Sequence, residues 1–500
     1  MKAMNLYVLT RNTNSELDTK YENILSGRAE SKKVKKYEYL NLNSLVNELL
    51  NNGANIKDLD GFYYSFLIQQ ISKEFDLLKI SCNEIVLNIE LKSQMIEKEK
   101  IEKQLLQNRY YLNHLAGNIK SFTYVQETNT FYKLDGCKLG DCTVNEVIDV
   151  LKKFQNYEEN DINKLFRARD FLISPLNTPD KFMNDQYFLT GQQISIKKEI
   201  ISGIKKENSH KLWGITGSAG TGKTLLLYDL AKELSHYGRC CIVHCGMLCS
   251  GHRHINKEMN DIEIVDVKSV TVELLSDYSF VLVDEAQRIY ERDLKIILAS
   301  ARAHGKTCIF SYDFFQVLSH AEENRNIPQY LKSLSNFQER KLTNKIRSNK
   351  EIASFIRNLF NLQDRSDNSY KYEDIDVLYA NDTTEAHIII DFFCKIKKYF
   401  FIGYTQSKYY GNSIDEFPGE RNTHEIIGQE FDNVIIMMDS NFRYGEDGKL
   451  QGKEHPNPDY IFYKLLYQGI SRPREKLCIV VIDNMPLFEK ILSIKLDQIC

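Results

Sequence analysis

Eight residues near the middle of the chain restrict its fold more than any others. Gly217-Ser-Ala-Gly-Thr-Gly-Lys-Thr224 fits G-x-x-x-x-G-K-[ST], follows the apolar run Leu212–Thr216 and precedes the helix-like Leu225–Leu234. Such a loop works only between a strand end and a helix start, where backbone N–H groups and the helix N-terminus cradle phosphate together. Gly217, Gly220 and Gly222 let the backbone wrap the anion. Lys223 sets a point charge against the β- and γ-phosphates, and Thr224 offers its hydroxyl to magnesium. ATP and Mg2+ are the expected ligands.

Further apolar runs at Cys240–His244, Val281–Val283, Cys308–Phe310, Val434–Met437 and Cys478–Ile482 are short and separated by helical stretches. That alternation predicts parallel sheets in an α/β fold. At roughly 150 residues per domain, 500 residues predict about three domains. The 65 basic and 68 acidic side chains leave a formal charge of −3, which excludes binding of a polyanion by bulk charge alone. A nucleic-acid partner would need local sites. Met1–Arg11 lacks the apolar core of a signal peptide, and no run approaches eighteen apolar residues, so neither secretion nor a membrane span is expected. Eleven cysteines, several inside apolar runs, suit reduced thiols in a cytoplasm.

Val281-Leu-Val-Asp-Glu-Ala-Gln-Arg288 is an apolar strand ending in two carboxylates: Asp284 is expected on the metal side and Glu285 as the base that polarises water. Four later stretches and one earlier one follow in a fixed order: Leu189-Thr-Gly-Gln-Gln193, Ser311-Tyr-Asp-Phe-Phe-Gln316, Leu342-Thr-Asn-Lys-Ile-Arg347, Thr423-His-Glu-Ile-Ile-Gly-Gln-Glu-Phe431 and Gln468-Gly-Ile-Ser-Arg-Pro-Arg474. Together they resemble the superfamily 1 helicases, in particular the compact group related to Schlafen helicase domains, over about Phe188 to Ile482. The resemblance implies that Gln193 reads adenine, Gln316 senses the γ-phosphate, and Arg347 and Arg472 reach the nucleotide from a second RecA-like lobe. It places Glu430 near nucleotide or strand. Charge grows on the γ-phosphate in the transition state, so a cation delivered from another lobe couples hydrolysis to closure. The short intervals from Thr224 to Asp284 and from Arg347 to Thr423 leave little room for large inserted domains. Cys245-Gly-Met-Leu-Cys-Ser-Gly-His-Arg-His254 occupies the place of a strand-contacting segment. Cys245, Cys249, His252 and His254 also have zinc-like spacing, against which buried cysteines explain the same letters.

The amino-terminal half predicts helices at Leu42–Leu50 and Phe62–Ile71, then alternating strands at Phe75–Ile80 and Ile85–Lys92 about a Cys82-Asn83 turn. A helix over Ile96–Leu115, strands at Ser121–Gln126 and Thr130–Leu134, and a helix over Val144–Leu172 follow. Folding about Cys82 and Asn83 sets Asp76 across from Ile89, beside Glu90, with Glu90 and Lys92 on one face. Two carboxylates and a lysine then converge, fit to hold magnesium and to orient an attacking water. The pattern resembles the PD-(D/E)XK nucleases, with Asp76 as lone acid, Glu90-Leu-Lys92 as E-x-K and Gln107 with Tyr111 as Q-x-x-x-Y. Gln104, Gln107 and Tyr111 share a helix face. The resemblance makes Asp76 and Glu90 metal ligands, as Thr224 and Asp284 are at the ATP site.

The expectation is a PD-(D/E)XK-like α/β nuclease domain (1–165), a linker (166–187) and two RecA-like parallel-sheet lobes (188–340 and 341–500). Its function would be ATP-driven movement on nucleic acid, DNA rather than RNA, joined to magnesium-dependent strand cleavage in DNA processing or anti-phage defence. A protein partner or oligomer is compatible. The alternative is a nucleic-acid-stimulated ATPase whose front domain only binds nucleic acid or acts as a partner-interaction switch.

Overall fold

The structure, a computed structural model, describes residues 1–11, 18–27, 36–68, 73–155, 162–166, 173–206, 212–343, 350–364, 370–407, 411, 413–453 and 459–496. Its contacts divide the chain into two units, Met1–Phe171 and Leu172–Cys500.

In the first unit six strands form one sheet in sequence order: β1 (Phe62–Ile68), β2 (Lys73–Ile80), β3 (Ile85–Lys92), β4 (Asn118–Val125), β5 (Thr130–Asp135) and β6 (Lys138–Cys142). All neighbours run antiparallel except β3 and β4, which are parallel and joined through the helix Lys98–Leu112. The helix Lys36–Asn51 buries Leu42, Leu45, Val46 and Leu49, one apolar stripe at helical spacing, in a core with Leu77, Leu87, Ile89, Phe122 and Tyr124.

Three expectations are corrected here. Phe62–Ile68 is a strand, not the start of a helix: Phe-Tyr-Tyr-Ser-Phe-Leu-Ile is aromatic and apolar on both faces, and all but Leu67 is buried. Residues 69–71 of that expected helix lie outside the described residues. The helix from Val144 stops at Leu151, capped at Thr143, rather than reaching Leu172. The β2–β3 turn spans three residues, with Ser81 N–H donating to Ile85 O at 2.9 Å and Glu84 at φ 60°. The extra residue moves the register by one, so Leu77 pairs with Ile89, and Asp76 lies across from Glu90 rather than Ile89.

The second unit carries two parallel sheets. One holds β7 (Leu212–Gly217), β8 (Cys240–His244), β9 (Ile262–Asp266), β10 (Phe280–Asp284), β11 (Thr307–Tyr312) and β12 (Phe337–Leu342) in the order β12-β7-β11-β10-β8-β9. The other holds β13 (Ile375–Ala380), β14 (Phe400–Gly403), β15 (Arg421–Asn422), β16 (Phe431–Met438) and β19 (Pro473–Ile482) in the order β13-β19-β16-β14-β15. A small hairpin, β17 (Phe442–Tyr444) and β18 (Leu450–Gly452), stands apart. Central strands such as Cys240–His244 and Phe280–Asp284 are buried throughout, as expected of parallel strands covered by helices on both faces. The ten described cysteines are all free thiols. Among the described residues no helix is long and apolar enough to cross a membrane.

Candidate functional site

The Gly217–Thr224 loop joins β7 to the helix Lys223–Ser235. Gly220 and Gly222 adopt φ of 76° and 80°, conformations an L side chain resists. A Cβ on Gly222 would meet Gln193 Nε2 at 2.3 Å, and one on Gly217 would meet Thr221 Oγ1 at 2.7 Å and the Leu342 carbonyl at 2.8 Å. The loop is thus packed against its neighbours as tightly as glycine permits. Lys223 Nζ donates to Gly217 O at 2.8 Å and Ser218 O at 3.1 Å and lies 3.4 Å from Asp313 Oδ2. Gln193, expected to read adenine, is buried: its Oε1 accepts from Thr190 N–H at 2.8 Å while Nε2 donates to Thr221 O and Gly222 O, so it clamps the loop.

Asp284 closes β10 and meets Thr224 directly, Thr224 Oγ1 donating to Asp284 Oδ1 at 3.4 Å. Ser311 Oγ donates to the same oxygen at 3.1 Å. Oδ2 is buried and receives no hydrogen bond among the described residues. A buried carboxylate whose Oδ1 lies beside the Thr224 hydroxyl is a donor set that fits magnesium, so Thr224 and Asp284 would hold it. Glu285, at φ 57°, is held by Gln287, whose Nε2 donates to Glu285 Oε2 at 2.7 Å. Gln316 is buried, and its backbone carbonyl accepts from Gln287 Nε2 at 3.5 Å.

Arg472, between the helix Phe462–Ile470 and β19, is buried, with Nε donating to Gln468 O and Nη2 to Gln468 Oε1, both at 3.0 Å. Burial pulls its pKa down, opposed chiefly by the negative charges of Glu285 and Glu430. Glu430 is buried, and its backbone carbonyl accepts from the Asn177 amide. The charge of Glu285, which follows β10, therefore acts on Arg472 together with that of Glu430. Arg347 lies outside the described residues. Asp313, Ser311 and His244 also stand against Lys223 and Asp284 and were given no role by sequence reasoning, although Asp313 and Ser311 lie inside the Ser311–Gln316 segment.

The zinc-like set is not gathered into one place. His254 Nε2 lies 2.9 Å from Asp180 Oδ1, while Cys249 Sγ sits 3.2 Å from His252 Nδ1. Among the described residues no three His, Cys, Asp or Glu side chains form a metal-binding group.

In the first unit the β2–β3 ladder ends at Leu77 and Ile89, and beyond it the Asp76 carboxylate takes the Leu91 N–H, Oδ2 accepting at 2.8 Å. Glu90, buried, accepts from Asn88 Nδ2 at 3.1 Å and Asn108 Nδ2 at 2.8 Å through Oε1, and from Gln104 through Oε2. Burial and then Glu90 push Asp76 up to about 7, with the Leu91 N–H and Lys92 opposing. An Asp76 carboxyl pushed up by burial and by the charge of a second buried carboxylate is a donor set a divalent cation relieves, so Asp76 and Glu90 fit one. Lys92 is half-buried. Lys73, which sequence reasoning missed, is lowered by burial against the pull of Glu90 and Asp76, and its Nζ sits 5.6 Å from the Tyr111 ring centre. Tyr111 is buried edge-on to Phe75, and Gln107 is half-buried. The helix addresses Glu90 through Gln104 and Asn108, four apart, instead of through Gln107. Asn88 and Asn108 carried no sequence signal.

Fold and loop together define an α/β protein whose second unit carries parallel sheets and a phosphate-binding loop. Residues 210–391 match the Schlafen group 3 DNA/RNA helicase domain family. Among solved structures, Bacteroides sp Pif1 in complex with ADP-AlF4 is 15% identical with a TM-score of 0.33, the match covering 61% of this chain and 96% of that one. Pif1 helicase from Bacteroides in complex with ADP-AlF3 and ssDNA is 15% identical with a TM-score of 0.31, covering 57% and 91%. No curated relative matches the chain.

Proposed function

We propose that residues 188–500 form two RecA-like lobes that hydrolyse ATP and move on nucleic acid, with 166–187 as a linker. The observation that carries this reading is that the Lys223 loop and the Thr224–Asp284 pair stand on one lobe with Glu285, whose charge, together with that of Glu430, acts on the buried Arg472 of the other. Lys223 neutralises the phosphates, Glu285 positions the attacking water, Gln316 senses the γ-phosphate, and Arg347 and Arg472 counter the charge that develops on it. Magnesium, when bound, withdraws charge from the phosphate oxygens. The match to a DNA/RNA helicase domain supports a nucleic-acid partner; single-stranded DNA is our choice. Purified chain should hydrolyse ATP faster when single-stranded DNA is added, and Lys223→Ala should reduce turnover to background. Full turnover in that variant would remove the reading.

A second reading concerns residues 1–165, proposed as a PD-(D/E)XK-like nuclease domain. Asp76 and Glu90 lie opposite each other by the β2–β3 register, just beyond the ladder end, and Glu90 is oriented by three carboxamides. There Asp76 and Glu90 would bind the metal, Lys92 would orient water, Gln107 would stand beside the centre, and Tyr111, packed against Phe75, would support the helix from within the core. A motor joined to such a centre suits DNA processing or anti-phage defence. Magnesium-dependent cleavage of end-labelled DNA, lost in Glu90→Ala and Lys92→Ala while ATP turnover persists, tests it. If the wild type leaves every substrate intact, the domain is a binding module or partner switch.

A further inference from the structure

His244 ends β8 beside Asp284, and the strand register pairs it with Asp284 on one side and Asp266 on the other. Paired residues of neighbouring parallel strands project to the same face, so the imidazole stands next to the carboxylate. Its Nδ1 lies 3.5 Å from Asp284 Oδ2, and both side chains are essentially without solvent exposure. Neither His244 nitrogen makes a hydrogen bond among the described residues, and neither does Asp284 Oδ2. One nitrogen of a neutral imidazole must carry a proton, and a buried N–H left unmatched beside a buried unmatched acceptor calls for an explanation. A movement of about half an ångström joins the two in a charge-assisted bond.

The surroundings fix the ring for that partner. His252, from the helix Ser250–Glu258, packs on it with ring centres 4.5 Å apart. His252 Nδ1 accepts from Cys249 N–H at 2.9 Å, which places the His252 proton on Nε2. On the far side, a Cβ on Gly246 would come within 2.8 Å of His244 Nε2, and one on Gly428 of the second lobe within 3.9 Å of Cε1. Glycine at 246 leaves the space that the imidazole occupies beside Asp284, and Gly428 lies at ordinary contact distance from it.

We propose that His244 is a positioning residue of the nucleotide site: its Nδ1–H holds Asp284 Oδ2, which turns Oδ1 toward Thr224 and the magnesium side. His252 acts as the backstop that keeps the ring in plane. The inference rests on the nucleotide-binding reading above.

The test uses the full chain and a fluorescent ADP analogue, mant-ADP, titrated in magnesium and in EDTA; the readout is the ratio of the two dissociation constants. His244→Ala should cut that ratio by roughly 10- to 100-fold, the usual effect of losing a partner that orients a metal ligand. His244→Asn keeps an amide donor near the Nδ1 position and should retain most of the ratio. His244→Gln, equally polar but reaching toward the Nε2 side, should not. If Asn and Gln both match the wild type, or both match Ala, His244 does not position Asp284 and the proposal falls while nucleotide binding stands. A wild type that binds mant-ADP with no gain from magnesium also overturns it. A wild type that does not bind mant-ADP at all removes the nucleotide reading itself.

Discussion

Asp76→Asn should make the first unit more stable, and more so at alkaline than at acid pH. Asp76 is pushed up to about 7 by burial and by the Glu90 carboxylate, whereas in an unfolded chain it titrates near 3.8. Between those values the unfolded chain has released its proton and the folded chain keeps it. Stability therefore falls as pH rises through this window and levels off above it. Each pH unit is worth about 1.4 kcal/mol, so raising the pH from 5 to 8 should cost the wild type about 3 kcal/mol in metal-free buffer. Asparagine carries no charge and keeps an oxygen for the Leu91 N–H, so the variant should lack this slope.

Hydrogen exchange at the β2 and β3 amides of the full chain in EDTA reads the effect without requiring both units to unfold together. At pH 5 the two proteins should exchange alike once intrinsic rates are corrected. At pH 8 the variant should be protected more strongly, by a free energy close to the figure above. Parallel pH profiles for wild type and variant would refute the reasoning, because they would mean that burial and the Glu90 charge do not hold the Asp76 proton in the folded chain. Magnesium at pH 8 should restore protection to the wild type and leave Asp76→Asn unchanged.

Gly222→Ala places a Cβ 2.3 Å from Gln193 Nε2 at φ 80°, so a loss of about 1–3 kcal/mol in a chemical melt and weaker mant-ADP binding are expected; an unchanged melt would show that the Gln193 clamp swings aside freely. Asn108→Ala removes a donor to buried Glu90 and to Asn88 Oδ1, both at 2.8 Å. A loss of about 1–3 kcal/mol by urea denaturation is expected, and a loss under about 0.5 kcal/mol would mean that water replaces the amide.

What the sequence disclosed follows the range of the interactions involved. The phosphate loop was legible because its chemistry is contiguous: glycines, lysine and threonine occupy eight consecutive positions between a strand and a helix, and the fold keeps them there. The parallel strands were legible from their unbroken apolar runs. β1 was not, since an aromatic run buried on both faces has neither a helical nor an alternating period. β6 is a short edge strand with exposed and half-buried side chains, and Lys-Leu-Gly-Asp-Cys carries no apolar signature.

The carboxylate centre shows the same limit at the scale of one residue. Glu90 and Lys92 share a face whatever the pairing, because two positions on one strand always do. Asp76 depends on the turn. A two-residue turn would have left it across from apolar Ile89; the third turn residue brings it opposite Glu90, and the open ladder end gives its carboxylate the Leu91 N–H. The amides that aim Glu90 come from the same strand and from a helix whose rotation is set by packing Ile101, Leu105 and Tyr111. Whether Gln107 or Asn108 faces Glu90 is a rotation of one helical position, which no spacing rule resolves. If that rotation is what orients the centre, Asn108→Ala should impair magnesium binding at Glu90 more than Gln107→Ala does. Equal effects, measured by magnesium-dependent protection of β3 amides, would return the role to the Q-x-x-x-Y pattern.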